Sequence, residues 1–137
     1  MTGLRTVAVG FDGSADSRVA LRWAVALCEL TGATLRVIHV VGLLEERHLT
    51  ALTPVEADVA LQIVTEIGFP AERFEWEHLS GSPAEALLRA THPPNSVDLL
   101  VVGSRGSGRF PGTLLGSTSL EVAQFSSIPV TIVPNPD

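Results

Sequence analysis

Between residues 103 and 119 the chain reads GSRGSGRFPGTLLGSTS, with five glycines spread among hydroxyl side chains directly after the apolar run VDLLVV. That is too much glycine for a packed core, and its placement is too regular for a slack linker. Glycines let backbone NH groups close on an anion and take the positive φ angles that a nest of amides requires. Downstream, Thr118 with Glu121 fits a capping box, so a helix is expected to begin near Ser117 or Thr118. Such a helix aims its free NH groups and positive dipole end back into the glycine stretch. A phosphate chain suits all of these features, and Arg105 and Arg109 supply positive charge. All nine basic residues are arginine. A P-loop lysine, a Schiff-base lysine and a lysine general base are thereby excluded.

The remaining reactive side chains are sparse. Asp12, in GFDGS, is open to two readings: a turn or helix-cap aspartate, or a carboxylate that meets a ribose at the end of a strand. His39, His48, His78 and His92 show no pairing at ligand spacing, and the single cysteine, Cys28, is remote from them in sequence, so no protein metal site is expected. His39, inside an apolar run, reads as a core or pocket-wall residue. No serine stands in a G-x-S-x-G frame. Glu45 and Glu46 read as a solvated face, with Mg²⁺ binding as the alternative if their loop folds over a nucleotide. Cys28 falls among Trp23, Ala24, Leu27 and Leu30 and is expected to be a packed, inert thiol.

These groups need a frame. TVAVG (6–10), TLRVIHVV (34–41) and DLLVVG (98–103) are rich in β-branched residues and stop at glycine or a polar turn, as strands do. The first and third are nearly continuous apolar runs, which suits strands covered on both faces of a parallel sheet. Between the first two, Val19, Ala20, Trp23, Ala24, Leu27 and Leu30 recur at helical spacing, with Asp16 and Ser17 near the start and Gly32 as a stop. Further helices are expected over PVEADVALQIVTEIG, PAEALLRAT and STSLEVAQFSS, and further strands over RFEWEHLS and IPVTIVP. Residues 42–53 read as a crossing loop. The order β α β α β α β loop α β specifies a doubly wound α/β domain. Pro129 confines the last strand to a sheet edge, and an edge carrying Val130, Ile132 and Val133 is expected to be covered by a second copy of the chain.

The totals agree with one such domain over residues 1–137. Hydrophobic residues make up 45% and charged residues 18%, a globular balance. A formal net charge of −6 with no basic cluster argues against nucleic acid as a partner. No apolar run is long enough to span a bilayer and no leader pattern opens the sequence, so no membrane partner is expected and a cytoplasmic location is.

The spacing Gly103, two residues, Gly106, nine residues, Gly116, Ser117 resembles the ATP-binding signature of the universal stress protein family. Asp12 after the first strand, the GSPAE segment (81–85) and the terminal PVTIVP strand are similar to that family too, so the resemblance covers essentially the whole chain. It implies an open five-stranded parallel sheet in the order 3-2-1-4-5 with helices on both faces, the adenine nucleotide alpha hydrolase-like arrangement. It also implies a homodimer made by pairing of the last strands, around Pro129 to Val133. In the implied pocket Gly10 lines the cleft, Asp12 meets the ribose and the Val40 backbone meets adenine. Gly103, Ser104, Arg105, Gly106, Ser107, Gly108 and Arg109 surround the phosphates, and Gly116, Ser117 and Thr118 close the site from the helix side. The loop departs from many relatives in carrying Pro111 and Gly112. The expected ligand is ATP, with ADP and AMP as alternatives and Mg²⁺ on the phosphates. The expected function is a nucleotide-dependent, stress-linked regulatory binding module without strong catalysis, read by a further protein partner. The alternatives are a slow ATPase or nucleotidyl transferase on the same scaffold, or an interaction module that no longer needs nucleotide.

Overall fold

The alternation of apolar side chains along three short strands decides how the chain layers. In β1 (Thr6–Gly10), Val7 and Val9 point to one face and Ala8 to the other; in β2 (Thr34–Val41), Leu35 and Val37 oppose Ile38; in β4 (Leu99–Gly103), Leu99 and Val101 oppose Leu100 and Val102. Both faces of each strand are therefore apolar, and each face requires a helical cover. The computed structural model, which describes residues 3–41, 55–105 and 115–136, supplies both covers. Helices α1 (Ala15–Thr31) and α2 (Val55–Ile67) pack on the Val7 and Val9 face. Helices α3 (Pro83–Thr91) and α4 (Ser117–Phe125) pack on the Ala8 face.

With β3 (Phe74–Ser80), preceded by a 3₁₀ turn over Ala71–Arg73, and β5 (Val130–Val133), the sheet runs β3-β2-β1-β4-β5 with every pairing parallel. The chain winds outward from β1 through β2 to β3, then returns to the other side of β1 with β4. The reversal lies between β1 and β4. Asp98 fixes that seam at its amino end, where its Oδ2 accepts the NH groups of Arg5 (2.8 Å) and Thr6 (3.0 Å). The last strand lies at the edge, as its proline requires: Pro129 stands just before Val130 and contributes only its carbonyl, which accepts the Leu100 NH at 3.0 Å.

Helix α1 is rotated from the stripe that simple periodicity selects. Ala20, Leu21, Ala24, Val25 and Cys28 are buried, whereas Trp23 is 39% exposed and Leu30 is 86% exposed. Ala20 and Ala24 let the helix backbone lie close to the sheet, so the bulky residues beside them are displaced to the flank; Val19 and Leu27 are only partly buried. The helix starts at Ser14, whose Oγ accepts the Ser17 NH, and ends at Gly32 with φ +79°, a left-handed stop. No basic residue occupies its last turn. Arg73 performs that service from the 3₁₀ turn: Nη2 donates to the carbonyls of Cys28 (2.6 Å) and Ala33 (2.8 Å), and the guanidinium lies 4.9 Å from the Phe69 ring centre.

Cys28 is fully buried and unpaired, and burial pushes its thiol up to about 11, with Arg73 acting in the opposite direction. An unfolded thiol ionises near 9, so the unfolded chain releases the proton first as pH rises. The stability carried by the protonated thiol is therefore complete below about 9 and is lost as pH climbs towards 11, a change on the order of 3 kcal/mol. Native protein at pH 8 is expected to resist a chromogenic disulfide reagent and to react with one equivalent once urea unfolds it. Prompt labelling of the folded chain would refute this packing.

Candidate functional site

The carboxyl ends of β1 and β4 flank the reversal, and both carry glycine. At Gly10 a side chain would meet Leu87 Cδ1 at 3.1 Å, so the missing Cβ lets α3 close onto β1. At Gly103 the restriction is stricter: a Cβ would stand 2.7 Å from the Asp16 carbonyl oxygen. The first turn of α1 therefore rests directly on the end of β4.

Beyond β1, Phe11 is buried, and its NH extends the ladder to the Ile38 carbonyl at 2.9 Å. Asp12 is exposed at the strand end. Its Oδ1 accepts the Ser14 NH at 2.9 Å, and Gly13 follows with φ +84°. This is an Asx turn, so the turn reading of Asp12 holds; its other carboxylate oxygen takes no hydrogen bond from the described residues. Gly10 is in register with Ile38, which places Val40, half-buried, two residues nearer the carboxyl end of β2.

Beyond β4, Ser104 joins the two feet of the glycine stretch. Its NH donates to the Val133 carbonyl (3.1 Å), and its carbonyl accepts both the Gly116 NH (2.7 Å) and the Ser119 Oγ–H (2.9 Å). Gly116 is thereby fixed as the N-cap of α4, in an extended conformation with φ −78°. The expected capping box does not form. The helix begins two residues earlier than that motif requires, so Ser119 occupies the third helical position, where its Oγ also donates to the Gly116 carbonyl at 3.0 Å. Gly116 spends its NH within the protein. The NH groups of Ser117, Thr118 and Ser119 are the intrahelically unpaired donors at this end, with Ser117 exposed and Thr118 half-buried.

Arg105, expected to contact phosphate, has its Nε turned inwards. Its Nε lies 3.6 Å from Oδ2 of Asp16, a carboxylate that is only 3% exposed. The same Asp16 receives Asn135 Nδ2 at Oδ1 (2.8 Å) and Ser104 Oγ at Oδ2 (3.4 Å). Asp16 and Asn135 were not among the expected site residues. The one sequence signal is an acidic residue in the first turn of α1, which by itself marks only a helix start. Gly106, Ser107, Gly108 and Arg109 lie outside the described residues, as do Pro111, Gly112, Glu45, Glu46 and His48.

The structure also pairs two histidines that looked unrelated. His39 and His78 are register partners on β2 and β3, with Nδ1 atoms 3.1 Å apart, and the buried His39 ring stacks on Trp76 at 5.8 Å. Among the described residues no three metal-ligating side chains gather, and no helix is long and apolar enough to cross a membrane.

An open parallel sheet wound both ways from β1, with glycine-bearing strand ends at the reversal, belongs to the doubly wound class that receives ligands at this edge. The sequence model of the Universal stress protein family matches residues 3–134, and the chain belongs to that family. It is 31% identical over 150 residues to universal stress protein Rv2623 of Mycobacterium tuberculosis, covering 96% of this chain and 48% of that protein. The chain thus spans about half the length of the first curated relatives it matches. Among solved structures, a universal stress protein in complex with cAMP is 28% identical, with TM-score 0.75 over 96% of this chain and 98% of that one. The protein MJ0577 superposes with TM-score 0.82 at 22% identity over 99% of both chains, which shows the shared fold.

The contact between Gly103 and Asp16 gives a direct test. Gly103→Ala is expected to cost roughly 1–3 kcal/mol in urea unfolding, because backbone must move to admit the methyl group. Gly10→Ala presses only on the tip of Leu87 and is expected to cost less than about 1 kcal/mol. Equal losses would contradict the packing described.

Proposed function

We propose that residues 1–137 act as one universal stress protein domain that binds an adenine nucleotide at the β1–β4 reversal. ATP is the proposed ligand, with ADP and AMP as alternatives. The observation that carries this reading is the Ser104–Gly116 hydrogen bond at 2.7 Å, which brings the start of the glycine stretch against the tip of α4. There the backbone NH groups of Ser117 and Thr118 can receive phosphate oxygens without any lysine. Asp12 fits a ribose because one carboxylate oxygen holds the Asx turn and the other takes no hydrogen bond from the described residues, which suits a hydroxyl. Gly10 would line the cleft, the Val40 backbone would meet the base, and Gly103, Ser104, Arg105, Gly106, Ser107, Gly108 and Arg109 would form the phosphate side. The relative solved with cAMP supports the ligand class.

The fit to Mg²⁺ is through the nucleotide rather than the protein. In this reading a cation would sit on phosphate oxygens, with Glu45 or Glu46, outside the described residues, as the alternative protein ligands. In this reading the domain is a cytoplasmic regulatory module that binds without appreciable turnover and presents its nucleotide state to a protein partner. It pairs with a second copy along the β5 edge, where Ile132 is half-buried and the neighbouring helix leaves Leu120 and Phe125 more than half exposed.

Titration calorimetry is expected to show ATP binding in the micromolar range, with no hydrolysis above background over hours. Asp12→Ala is expected to weaken ATP and adenosine alike by about tenfold, roughly 1.4 kcal/mol, since both ligands carry the ribose. Absence of binding by any adenine nucleotide at millimolar concentration would overturn the reading. In sedimentation at micromolar concentration the protein is expected to run at twice the chain mass, and a monomer would remove the β5 pairing.

A further inference from the structure

Asp16 is a charged side chain with almost no exposure, and among the described residues its partners come from two distant parts of the chain. Asn135 reaches it from the tail beyond β5, and Ser104 and Arg105 from the first and second residues past the end of β4. Burying a carboxylate is costly unless donors gather around it. An apolar residue would cover the end of β4 without needing donors from the tail and the loop foot, so holding these elements together is not a demand of packing alone.

The geometry at Arg105 is informative. Its Nε is buried and takes no hydrogen-bond partner among the described residues, yet it faces Oδ2 of Asp16 at 3.6 Å, while a quarter of the side chain is exposed. Of the five N–H donors of a guanidinium, the Nε–H is thus directed inwards and the four on the terminal nitrogens remain for other acceptors. An arginine held with its Nε beside a buried carboxylate has already given up rotamer freedom before an anion arrives. Its backbone leaves directly from Ser104, the residue that joins β4 to the tip of α4.

We propose that Asp16 is a positioning residue for phosphate recognition: it orients Arg105 at the foot of the glycine stretch, and Asn135 braces it from the C-terminal tail. The proposal rests on the nucleotide reading above. It assigns the Asp16 carboxylate no contact with the ligand. Its action runs through the guanidinium, so it concerns the phosphates and not the nucleoside.

Affinities for ATP and for adenosine are measured on the wild type, Asp16→Asn, Arg105→Gln and the double variant, with thermal melting alongside. Asp16→Asn is expected to weaken ATP about 5- to 20-fold and to leave adenosine within about twofold. In the Arg105→Gln background the same change is expected to alter ATP affinity less than about twofold. Asn135→Ala, which keeps the carboxylate, is expected to show the same selectivity at about 2- to 5-fold, and serves if Asp16→Asn does not fold. A purely structural role would weaken both ligands together, or lower the melting temperature with no change in the ratio of the two affinities; either result overturns the proposal. So does an Asp16→Asn effect that persists undiminished without Arg105. A wild type that binds neither ligand removes the nucleotide reading and this proposal with it, whereas a wild type that binds both beside an unselective Asp16→Asn removes the proposal alone.

Discussion

One carbonyl oxygen sets the geometry of the candidate site. The Ser104 carbonyl accepts the Gly116 amide and the Ser119 hydroxyl, so the stretch between β4 and α4 leaves and re-enters the fold at a single point. Two consequences follow from that double acceptance. The tip of α4 is brought against the carboxyl end of β4, and the first helical residue is set by tertiary contact instead of by a local cap. A buried backbone acceptor with both lone pairs engaged is a rigid reference point, and the unpaired NH groups of the next helical turn are oriented relative to it.

The sheet explains why this junction occurs where it does. β1 occupies the centre because it pairs with β2 on one side and β4 on the other. Helices leaving those strands go to opposite faces, which opens a crevice at their carboxyl ends. Small residues keep the crevice narrow: Gly10 admits Leu87 of α3, and Gly103 admits the first turn of α1. Here glycine serves close approach, since neither residue has the positive φ that would demand it.

Much of this architecture was legible in the sequence because its signals are local. Runs such as TVAVG and LLVVG declare buried strands, and Gly32 and Gly68, both at positive φ, stop α1 and α2 where periodicity ends. The glycine spacing from Gly103 to Gly116 located the β4–α4 junction. What the sequence withheld depends on contacts between distant segments. Periodicity placed Trp23 and Leu30 on the buried stripe of α1, yet only the sheet decides that Ala20 and Ala24 approach most closely. Thr118 and Glu121 spell a cap that the Ser104 carbonyl overrides. His39 and His78 meet only through parallel register, and Asp16 meets Asn135 across 119 positions. No spacing rule reports such encounters.

The seam held by Asp98 also bears on how the chain is assembled. Its carboxylate joins segments 93 positions apart, so the central β1–β4 pairing closes the longest loop in the sheet, whereas β1, β2 and β3 pair with near neighbours in sequence. Closing so long a loop carries the largest entropic cost of any pairing here, which favours a folding order in which the three-strand half forms first and β4 and β5 dock onto it afterwards. A molecule seated at the reversal would touch both halves at once and bind only after docking, so its concentration in the cell would govern how often the two halves part.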